Sequence, residues 1–595
     1  MANSPLQGAD GPVRLTILSD GTALADSVSV ISVEISTALN RIPQALLTFS
    51  DGDMPNKDFP LSNQPELAPG AVLVINAGYG DTEQQLFSGV VVKHSLTVKG
   101  NNQAQLLIEC RDKIFAASLG RNNANFVNMT DSDIWQQLAG KYGVSCEAKA
   151  SGESHAELVQ YYCSDWDFML LRAEVNGMVV AAGDGKLSIA PPDVGSAAVL
   201  KVTYGDDLLS FNASLDASQQ FSTVKTVSWD PASQQLQNSE ASTTPLTAQG
   251  NLAADTLAGV AALSEFRLQS SAPLSSDSLS SWAKAQQLKS ALARIRGELQ
   301  CQGSALLKPG VLLEVEGVGE RFNGKVYVSA VRHSIGKGDW VSQVSFGMSA
   351  QWFAQNADIS APPAAGVLPG VSGLQIGVVI KLDTDPDSAY RIQVKVPLLE
   401  AQSEGVWARL LSFYASDGFG QFCLPEVGDE VILGYLNNDP CYPVILGSVY
   451  SSKRKPAYEP AAENNIKAFV SRTGLTLEYD EEKKQISLFT PAGNKAVLDD
   501  DSKTILLQDQ HGNKVELSES GILLDSPKDI SLNAKGKISL QAVGNIELAA
   551  KADFSAEALN IKQEAKVALT AKGNASAELS ASGQTTVKGA MVLIN

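Results

Sequence analysis

Short runs in which apolar and polar residues alternate fill the first 110 positions of the chain. Residues 13–17 (Val-Arg-Leu-Thr-Ile) and residues 28–35 are examples, and glycines separate the runs. Because a period of two places every second side chain on one face, this pattern predicts antiparallel strands joined by turns.

Two later segments change to the period of a helix. One helix is predicted over residues 130–143, where Thr130 or Asp131 can cap the first turn. A second is predicted over residues 166–175, and the Asn-Gly pair that follows it favours termination there.

Residues 230–280 are rich in Ser, Ala, Gln and Thr and poor in aromatic residues, so we expect a long and partly mobile excursion there. Residues 282–295 return to a helical pattern. Further strands are predicted over residues 311–315, 325–331 and 341–348. The pattern therefore predicts that residues 1–358 form a region of β-structure with a few helices.

Proline and glycine mark a linker at residues 359–372, since they deny the backbone both helix and ladder hydrogen bonds. Five short strand-like runs follow between residues 373 and 452. Five strands with Gly and Pro turns favour a small barrel of the OB type. The runs are residues 374–381, 391–396, 406–411, 430–435 and 444–449.

An eight-residue repeat characterises the last region, which we assign to residues 453–595. Proline becomes rare, and from residue 530 large apolar residues return every eight positions, with one slip in phase. We expect these residues to form the core of a needle. They are Ile530, Leu532, Ile538, Leu540, Ile546, Leu548, Phe554, Leu559, Ile561, Val567 and Leu569.

Each repeat offers only two large apolar side chains, and a single chain has no second layer to cover them. Leaving each one in water forfeits about 1.5–3 kcal/mol. Three chains wound into a triangular prism would cover this face, so we expect an obligate homotrimer with an intertwined triple-stranded β-helix. A single-chain β-helix, whose coils need more inward positions, and an ordinary β-sandwich are the alternatives.

Composition and charge argue against nucleic-acid binding, a membrane span and a secretory signal. The 595-residue chain has 65 Asp and Glu against 46 Lys and Arg, a net charge of −19. Such a surface repels phosphate backbones, so we expect no nucleic-acid partner. No apolar run approaches the roughly 18–20 residues of a membrane span. The N-terminus lacks the basic start and apolar core of a secretory signal, so we expect synthesis in the cytoplasm.

The residues that carry most enzyme and metal chemistry are few and scattered. The six cysteines and four histidines show neither metal-ligand spacing nor a disulfide pattern. Asp383, Asp385 and Asp387 begin like a calcium loop, but Ser388 and Val394 stand where such a loop needs Gly and Glu. We therefore expect no catalytic residue, no cofactor and no metal site.

Aromatic residues of the predicted barrel could in principle stack on bases or sugars. They are Trp407, Phe413, Tyr414 and Phe419. Residues 373–452 hold ten acidic against four basic residues, whereas a groove for a nucleic-acid strand needs the opposite sign. We expect these aromatic residues to pack between barrel and needle.

Several motifs of the barrel follow one another in a fixed order. They are residues 376–379 (Ile-Gly-Val-Val), 391–397 (Arg-Ile-Gln-Val-Lys-Val-Pro), 407–409 (Trp-Ala-Arg), 424–431 (Leu-Pro-Glu-Val-Gly-Asp-Glu-Val) and 443–450 (Pro-Val-Ile-Leu-Gly-Ser-Val-Tyr). A second set runs from Val159 to Met169 and includes Arg172, Glu174 and Gly177. Together these motifs resemble the VgrG family of trimeric spikes, which are counterparts of the hub and needle of contractile-tailed phages.

The resemblance implies a fold that is mainly β. A hub of two barrel-like subdomains with a few helices would be followed by an OB-fold barrel and the needle. The implied function is that of a structural spike, not an enzyme, in a type VI secretion system or an extracellular phage-tail-like particle. Such a spike caps the inner tube and pierces a target membrane when the sheath contracts. It carries a tip protein and sometimes cargo.

The resemblance also implies partners and a route. The partners are a hexameric inner tube protein, baseplate components, a PAAR-type tip protein and, transiently, the target membrane. Assembly would take place in the baseplate of the particle, followed by delivery outside the cell or into a target cell. We expect no lysozyme domain between barrel and needle and no toxin fused after residue 595, where some family members carry one.

The alternative function is a polysaccharide- or peptidoglycan-degrading enzyme built on a β-helix. Such an enzyme needs paired carboxylates beside aromatic side chains. Phe554 is the only aromatic residue after position 500, which argues against a sugar-binding groove in the needle.

The last six residues are predicted to dock the tip protein. Exposed strand ends and apolar surface are typical of a docking site, although a bare blunt end is the alternative. These residues are Ala590, Met591, Val592, Leu593, Ile594 and Asn595.

Overall fold

A computed structural model describes residues 2–100, 103–243, 249–263, 265–398 and 405–594. The chain divides into two compact units, residues 1–449 and residues 450–595. The regular structure of the described residues is mainly β, as predicted, and their four α-helices all lie in the first unit. Within these ranges no helix is both long and apolar enough to cross a membrane.

The first unit contains 26 strands and four α-helices in its described part. The strands are β1 (Val13–Ser19), β2 (Thr22–Ala23), β3 (Val30–Ala38), β4 (Gln44–Ser50), β5 (Val72–Tyr79), β6 (Thr82–Lys99), β7 (Gln103–Arg111), β8 (Asn122–Thr130), β9 (Ser145–Ala148), β10 (Ser154–Cys163), β11 (Val179–Gly183), β12 (Lys186–Ala190), β13 (Leu200–Thr203), β14 (Leu208–Leu215), β15 (Thr223–Asp230), β16 (Gln235–Ser242), β17 (Phe266–Ser270), β18 (Ile295–Gln302), β19 (Leu312–Glu316), β20 (Gly324–Gly336), β21 (Asp339–Phe346), β22 (Gln375–Lys381), β23 (Ile392–Lys395), β24 (Val406–Leu410), β25 (Glu430–Tyr435) and β26 (Pro443–Ser448). The helices are α1 (Asp131–Lys141), α2 (Asp165–Val175), α3 (Ala254–Ala261) and α4 (Ser276–Ala293).

A sheet of thirteen strands organises residues 1–358. Its order is β14-β18-β21-β20-β3-β4-β7-β6-β5-β1-β2, and β13 and β19 join it through β20. The inward residues of these strands fill two separate cores, one around Phe49 and Trp340 and one around Leu299 and Phe346. The two expected barrel-like subdomains thus share one continuous sheet, and its strands contribute to two separate cores.

The first two predicted helices are confirmed to within two residues at their ends. Thr130 caps α1, since its hydroxyl accepts the backbone N–H of Asp133 at 3.2 Å while the Asp133 carboxylate accepts the N–H of Thr130. Helix α2 ends at Val175, and Gly177 follows with a φ of +66°, the left-handed conformation that glycine adopts without strain.

Helix α4 begins six residues before the predicted start. The Ser275 hydroxyl accepts the N–H of Ser278 at 3.0 Å and so caps the helix. The polar first turn that follows this cap has no apolar period, which is why the sequence pattern placed the start too late.

Residues 230–280 contain more regular structure than the expected excursion. Strand β16 pairs antiparallel with β15, β17 pairs parallel with β15, and α3 lies between them in sequence. Ala283 of α4 packs in a small core with Phe221 and Val224. Strand β16 (Gln-Leu-Gln-Asn-Ser-Glu-Ala-Ser) is almost wholly exposed, so it carries no apolar period that a sequence pattern could detect.

The five strands predicted for residues 373–452 are confirmed as a closed barrel, in the order β22-β23-β24-β26-β25. Strand β25 pairs back to β22 and closes the ring. Its core consists of small and β-branched residues such as Val379, Val394 and Ile445. Alternate positions of short strands are therefore enough to fill this barrel.

The second unit begins with a seven-stranded antiparallel meander. Its strands are β27 (Ile466–Val470), β28 (Thr476–Asp480), β29 (Gln485–Phe489), β30 (Lys495–Asp499), β31 (Thr504–Gln508), β32 (Lys514–Ser518) and β33 (Gly521–Asp525), paired in sequence order. Beyond β33, residues 526–594 contain no strand and no helix.

Candidate assembly surfaces

One face of the meander is apolar across all seven strands. The strand register places two rows of seven residues on this face. Only Lys467 among them is charged. The other thirteen are Phe469, Leu477, Tyr479, Ile486, Leu488, Ala496, Leu498, Ile505, Leu507, Val515, Leu517, Ile522 and Leu524.

This apolar face is open within the single chain. Leu507 is 53% exposed and Phe469 is 67% exposed. The opposite face is mixed, with charged residues such as Glu478 and Lys495 beside the apolar residues Val497 and Leu506. Each half-exposed large side chain leaves about 1 kcal/mol of burial energy unused, so the face as a whole favours a second layer.

This apolar face is not among the sites predicted from the sequence. Its signal is the strict alternation inside five-residue strands, as in residues 476–480 (Thr-Leu-Glu-Tyr-Asp). Such short strands do not share one fixed repeat length, so a search for an eight-residue period passes over them.

Residues 526–594 are straight segments separated by regular bends. The bends lie at residues 527–528, 535–536, 543–544, 551–552, 559, 566–567, 574–575, 582–583 and 590–591. Most are eight residues apart, but the two turns between 551 and 566 take fifteen residues instead of sixteen. One interval between bends is therefore a residue short, and this explains the phase slip in the sequence repeat.

The predicted needle residues of the first three repeats have nearly identical surroundings. Ile530, Ile538 and Ile546 are 55, 54 and 53% exposed, and the leucines two positions after them are 66–68% exposed. All lie in the middle of straight segments. The backbone of these three repeats is therefore as regular as their sequence, and it presents the same Ile and Leu pair in each of them.

After the slip, the structure assigns positions that differ from those in the sequence repeat. Leu559 and Val567 lie at bends and are 98 and 99% exposed. Ile561 and Leu569 take the place that Ile538 has, because each of the three lies two residues after the last residue of a bend. Phe554 continues the same row. The phase shifts because one residue is missing between Phe554 and Ile561.

Residues 526–594 make no backbone–backbone hydrogen bond within the described chain. Ordering an extended backbone costs about 1–2 kcal/mol per residue, and a strand normally recovers this through ladder bonds and side-chain burial. Here neither is available inside one chain. The single chain therefore gives this segment neither ladder bonds nor a covering layer.

The predicted docking residues at the end of the chain are exposed as far as they are described. Met591, Leu593 and Ile594 are largely exposed, and Val592 is half-exposed. Ala590 and Met591 form the last bend. Asn595 lies outside the described residues.

The barrel carries an apolar ribbon just after β24. Tyr414 and Gln421 share a backbone hydrogen bond of 2.8 Å, and an isolated bridge joins Ala415 to Gly420. This pairing sets Phe413 opposite Phe422, and the two rings are 100 and 86% exposed. Of the other predicted aromatic residues, Phe419 packs edge-on against Tyr414 with ring centroids 5.9 Å apart, and Trp407 is half-buried in β24.

Two of the three aspartates that resemble a calcium loop, Asp385 and Asp387, bind Arg391. Asp385 accepts hydrogen bonds from the Arg391 side chain at 2.6 and 3.1 Å and from the backbone N–H of Ala389 at 2.8 Å. The guanidinium lowers the pKa of this carboxyl far below its usual range. Asp385 thus closes the loop between β22 and β23 through an arginine.

Residues of the second motif hold the helices of the first unit together. Asp131 of α1 accepts bonds from Arg172 Nε at 2.7 Å and Arg172 Nη2 at 2.9 Å, and Asn176 Nδ2 donates to it at 2.8 Å. Burial alone would raise the pKa of Asp131, but the bonds and charge of Arg172 outweigh it and lower the pKa. The motif therefore stabilises the fold, and its polar groups are occupied with one another.

Asp165 forms a second buried centre of this kind. It accepts bonds from Gln160 Nε2 at 2.8 Å, from the Tyr142 hydroxyl at 2.8 Å and from Asn122 Nδ2 at 3.0 Å. In the described ranges no three His, Cys, Asp or Glu residues lie where they could hold a metal ion. His333, which is buried against Ser342 and Trp340, has its pKa lowered to about 4 by desolvation.

Two family models match the chain. The model described as the Alg8 N-terminal domain matches residues 9–337, and the type VI secretion system/phage-baseplate injector OB domain matches residues 375–450. The second match coincides with the closed barrel.

Curated relatives match shorter stretches. The chain is 27% identical over 124 residues to the type VI secretion system spike protein VgrG1b of Pseudomonas aeruginosa, covering 19% of this chain and 17% of that protein. It is 25% identical over 158 residues to the actin cross-linking toxin VgrG1 of Vibrio cholerae, covering 24% of this chain and 14% of that protein. The chain thus matches less than a fifth of each relative's length.

A solved structure covers more of the chain. The E. coli c3393 protein is described as a component of the type VI secretion system that is structurally similar to the T4 phage tail proteins gp27 and gp5. It is similar to 73% of this chain and 99% of its own length, with 14% identity and a TM-score of 0.36.

Proposed function

We infer the function of this chain from its family: it belongs to the Alg8 N-terminal domain family, and it is a spike protein of the VgrG type. We propose that it is the structural spike of a contractile injection system. Residues 1–358 form the hub that caps the inner tube, and residues 453–595 form the needle that enters the target membrane when the sheath contracts.

This proposal is carried by the apolar side chains that the second unit leaves uncovered, on the meander and in the segment after residue 526. The meander carries thirteen apolar residues on one face, most of them exposed, and the segment after it exposes the same Ile and Leu pair in three successive repeats. Two further copies of the same chain supply matching faces, because each copy has the same shape, spacing and lack of charge. The proposed assembly is therefore a homotrimer.

In the proposed trimer both the meander and the segment after residue 526 are covered by the other two chains. Three meanders close into a triangular prism with their apolar faces inward and their mixed faces, which carry the charged residues, outward. The segments after residue 526 wind around one another, so that each straight segment gains ladder hydrogen bonds from the other two chains. Ile530, Ile538 and Ile546 and the leucines beside them then form the core.

The remaining partners follow from the spike function. A hexameric tube protein and baseplate components bind the hub, and a PAAR-type tip protein docks on residues 590–595. Met591, Leu593 and Ile594 are exposed apolar side chains that suit such a contact. The spike is assembled in the particle and is delivered outside the cell or into a target cell.

We propose a mechanical rather than a catalytic role. One relative bears the name of an actin cross-linking toxin. In this chain the buried carboxylates Asp131 and Asp165 are occupied by arginine, amide and hydroxyl donors, and Phe554 is the only aromatic residue after position 500. Peptidoglycan or capsule turnover by the purified protein would favour the enzyme alternative instead.

Electron microscopy of the chain mixed with tube protein tests the proposal. We expect a pointed density on one end of each tube, and we expect it to be lost when Ile538→Asp disrupts the needle. The matched control is Ser539→Asp, which places the same charge on the neighbouring position and should keep the needle. Tubes without an end density for the unmodified chain would contradict the spike function.

A further inference from the structure

The straight segment of residues 560–565 has two distinct faces. Lys562 Nζ lies 2.6 Å from Glu564 Oε2, so these two side chains share one face of the segment, and both are exposed. In an extended backbone the residues between and beside them point to the other face. Ile561, Gln563 and Ala565 therefore occupy the face opposite the ion pair.

Ile561 belongs to the row of apolar residues that we propose as the needle core. Its exposure, 60%, lies in the range of that row and well below the 98–99% of the bend residues. Gln563 lies two positions further along the same segment, where the earlier repeats have Leu532, Leu540 and Leu548. A glutamine therefore stands in a position that leucine occupies in three other repeats.

We infer that three Gln563 side chains meet on the axis of the proposed trimer and bind a small monovalent anion of halide size there. This inference rests on the homotrimer of the proposed function. Each glutamine amide has one oxygen acceptor and two N–H donors. If each amide donates one N–H to the next around the axis, three oxygens and three donors are paired, and three donors remain.

The three remaining N–H groups need an acceptor, because an apolar layer lies on either side of them. Ile561 is the preceding member of the core row and Leu569 is the following one. A buried donor without a partner is costly, so the layer requires a bound group. A halide accepts three equivalent bonds about a threefold axis, whereas a water molecule has two acceptor sites and leaves one N–H unpaired.

The local charge is compatible with an anion. Residues 526–594 carry eight lysines against six acidic residues, although the whole chain has a net charge of −19. The anion would therefore enter a segment with a small net positive charge in an otherwise acidic protein. Small residues two positions after Phe554 and Leu569, namely Ala556 and Ala571, provide space along the same row.

Halide-dependent melting of the full-length protein tests the inference. The needle transition is followed by circular dichroism at constant ionic strength while gluconate is replaced by bromide. Mass action predicts that the melting temperature of the unmodified trimer rises with the logarithm of bromide concentration. Gln563→Leu should remain a trimer and lose this dependence, because the leucine restores the residue of the earlier repeats.

Gln541→Leu is the matched control. Gln541 follows Leu540 directly and so lies on the opposite face of its segment, and its variant should keep the bromide dependence. Bromide soaked into crystals should also give an anomalous peak on the threefold axis at residue 563, and this peak should be absent from Gln563→Leu.

The outcomes separate the two proposals. A trimer without bromide dependence and without the axial peak would overturn the anion site while leaving the spike intact. The same bromide response in Gln563→Leu as in the unmodified protein would overturn it too. A chain that light scattering shows to be monomeric would instead remove the trimer on which the inference rests.

Discussion

The variant Ile538→Asp tests the proposed needle core by placing a charge at one of its apolar positions. Ile538 is 54% exposed in the single chain, so the trimer has about half of its surface left to cover. That burial contributes about 1 kcal/mol per chain, or about 3 kcal/mol for three copies. The substitution removes this contribution and brings three carboxylates to one axis.

The charges add the larger part of the penalty. A buried ion without a partner costs several kcal/mol even after relaxation, so three of them bring the total to about 10 kcal/mol or more. A domain has roughly 5–15 kcal/mol of stability to lose, so we expect the needle to unfold or the trimer to dissociate. Acidification should restore it in part, because a buried carboxyl binds a proton more readily.

The assay separates the needle from the rest of the chain. All seven tryptophans lie at or before residue 407, so tryptophan fluorescence reports on the first unit and circular dichroism on both. We expect unchanged fluorescence and a lost cooperative β-sheet transition for Ile538→Asp. Ser539→Asp should melt like the unmodified protein. Equal melting of the two variants would place Ile538 in water and refute the assigned register.

Three further changes probe other parts of the molecule. Arg172→Ala should destabilise the first unit by about 3–5 kcal/mol in urea unfolding, because it leaves the buried Asp131 carboxylate without its guanidinium; a loss below 1 kcal/mol would assign the network no stabilising role. Since the pKa of Asp131 is lowered in the folded state, its contribution is present above the ordinary aspartate range and is lost as pH falls through the folded pKa, so the Arg172→Ala difference should shrink below about pH 4. Thr130→Ala should cost about 1 kcal/mol by removing the cap of α1, whereas Thr130→Ser should restore most of it. Deleting residues 590–595 should leave a folded trimer that no longer retains a tip protein in a pull-down, and undiminished retention would locate the tip contact elsewhere.

Much of the fold could be predicted because local signals agreed with the tertiary structure. The barrel strands alternate around a core that their own side chains fill, and α1 and α2 carry a cap, an apolar period and a stop signal. The start of α4 and strand β16 could not be found in this way. Their polar residues are held by a cap and by neighbouring strands, which a short window of sequence does not contain.

The candidate site was predictable only where its repeat is long and regular. The residues from Ile530 to Phe554 share one spacing, and the structure gives them equivalent positions. The sequence does not show that Leu559 and Val567 lie at bends. The pairs Leu559/Ile561 and Val567/Leu569 keep the two-residue and eight-residue spacings of the repeat, and these spacings do not distinguish a bend from a straight segment. The apolar face of the meander depends on strand register, which the turns between strands determine.

The mass of the purified chain in solution decides whether the proposed homotrimer exists. Three copies of a 62.8 kDa chain have a mass of about 188 kDa, and multi-angle light scattering distinguishes this from one or two copies. We predict the trimer mass, with no folded monomer on dilution, since one chain leaves its apolar face and the backbone of residues 526–594 without partners. A stable folded monomer of 62.8 kDa with its full β-sheet signal would exclude the trimer and the needle core proposed with it.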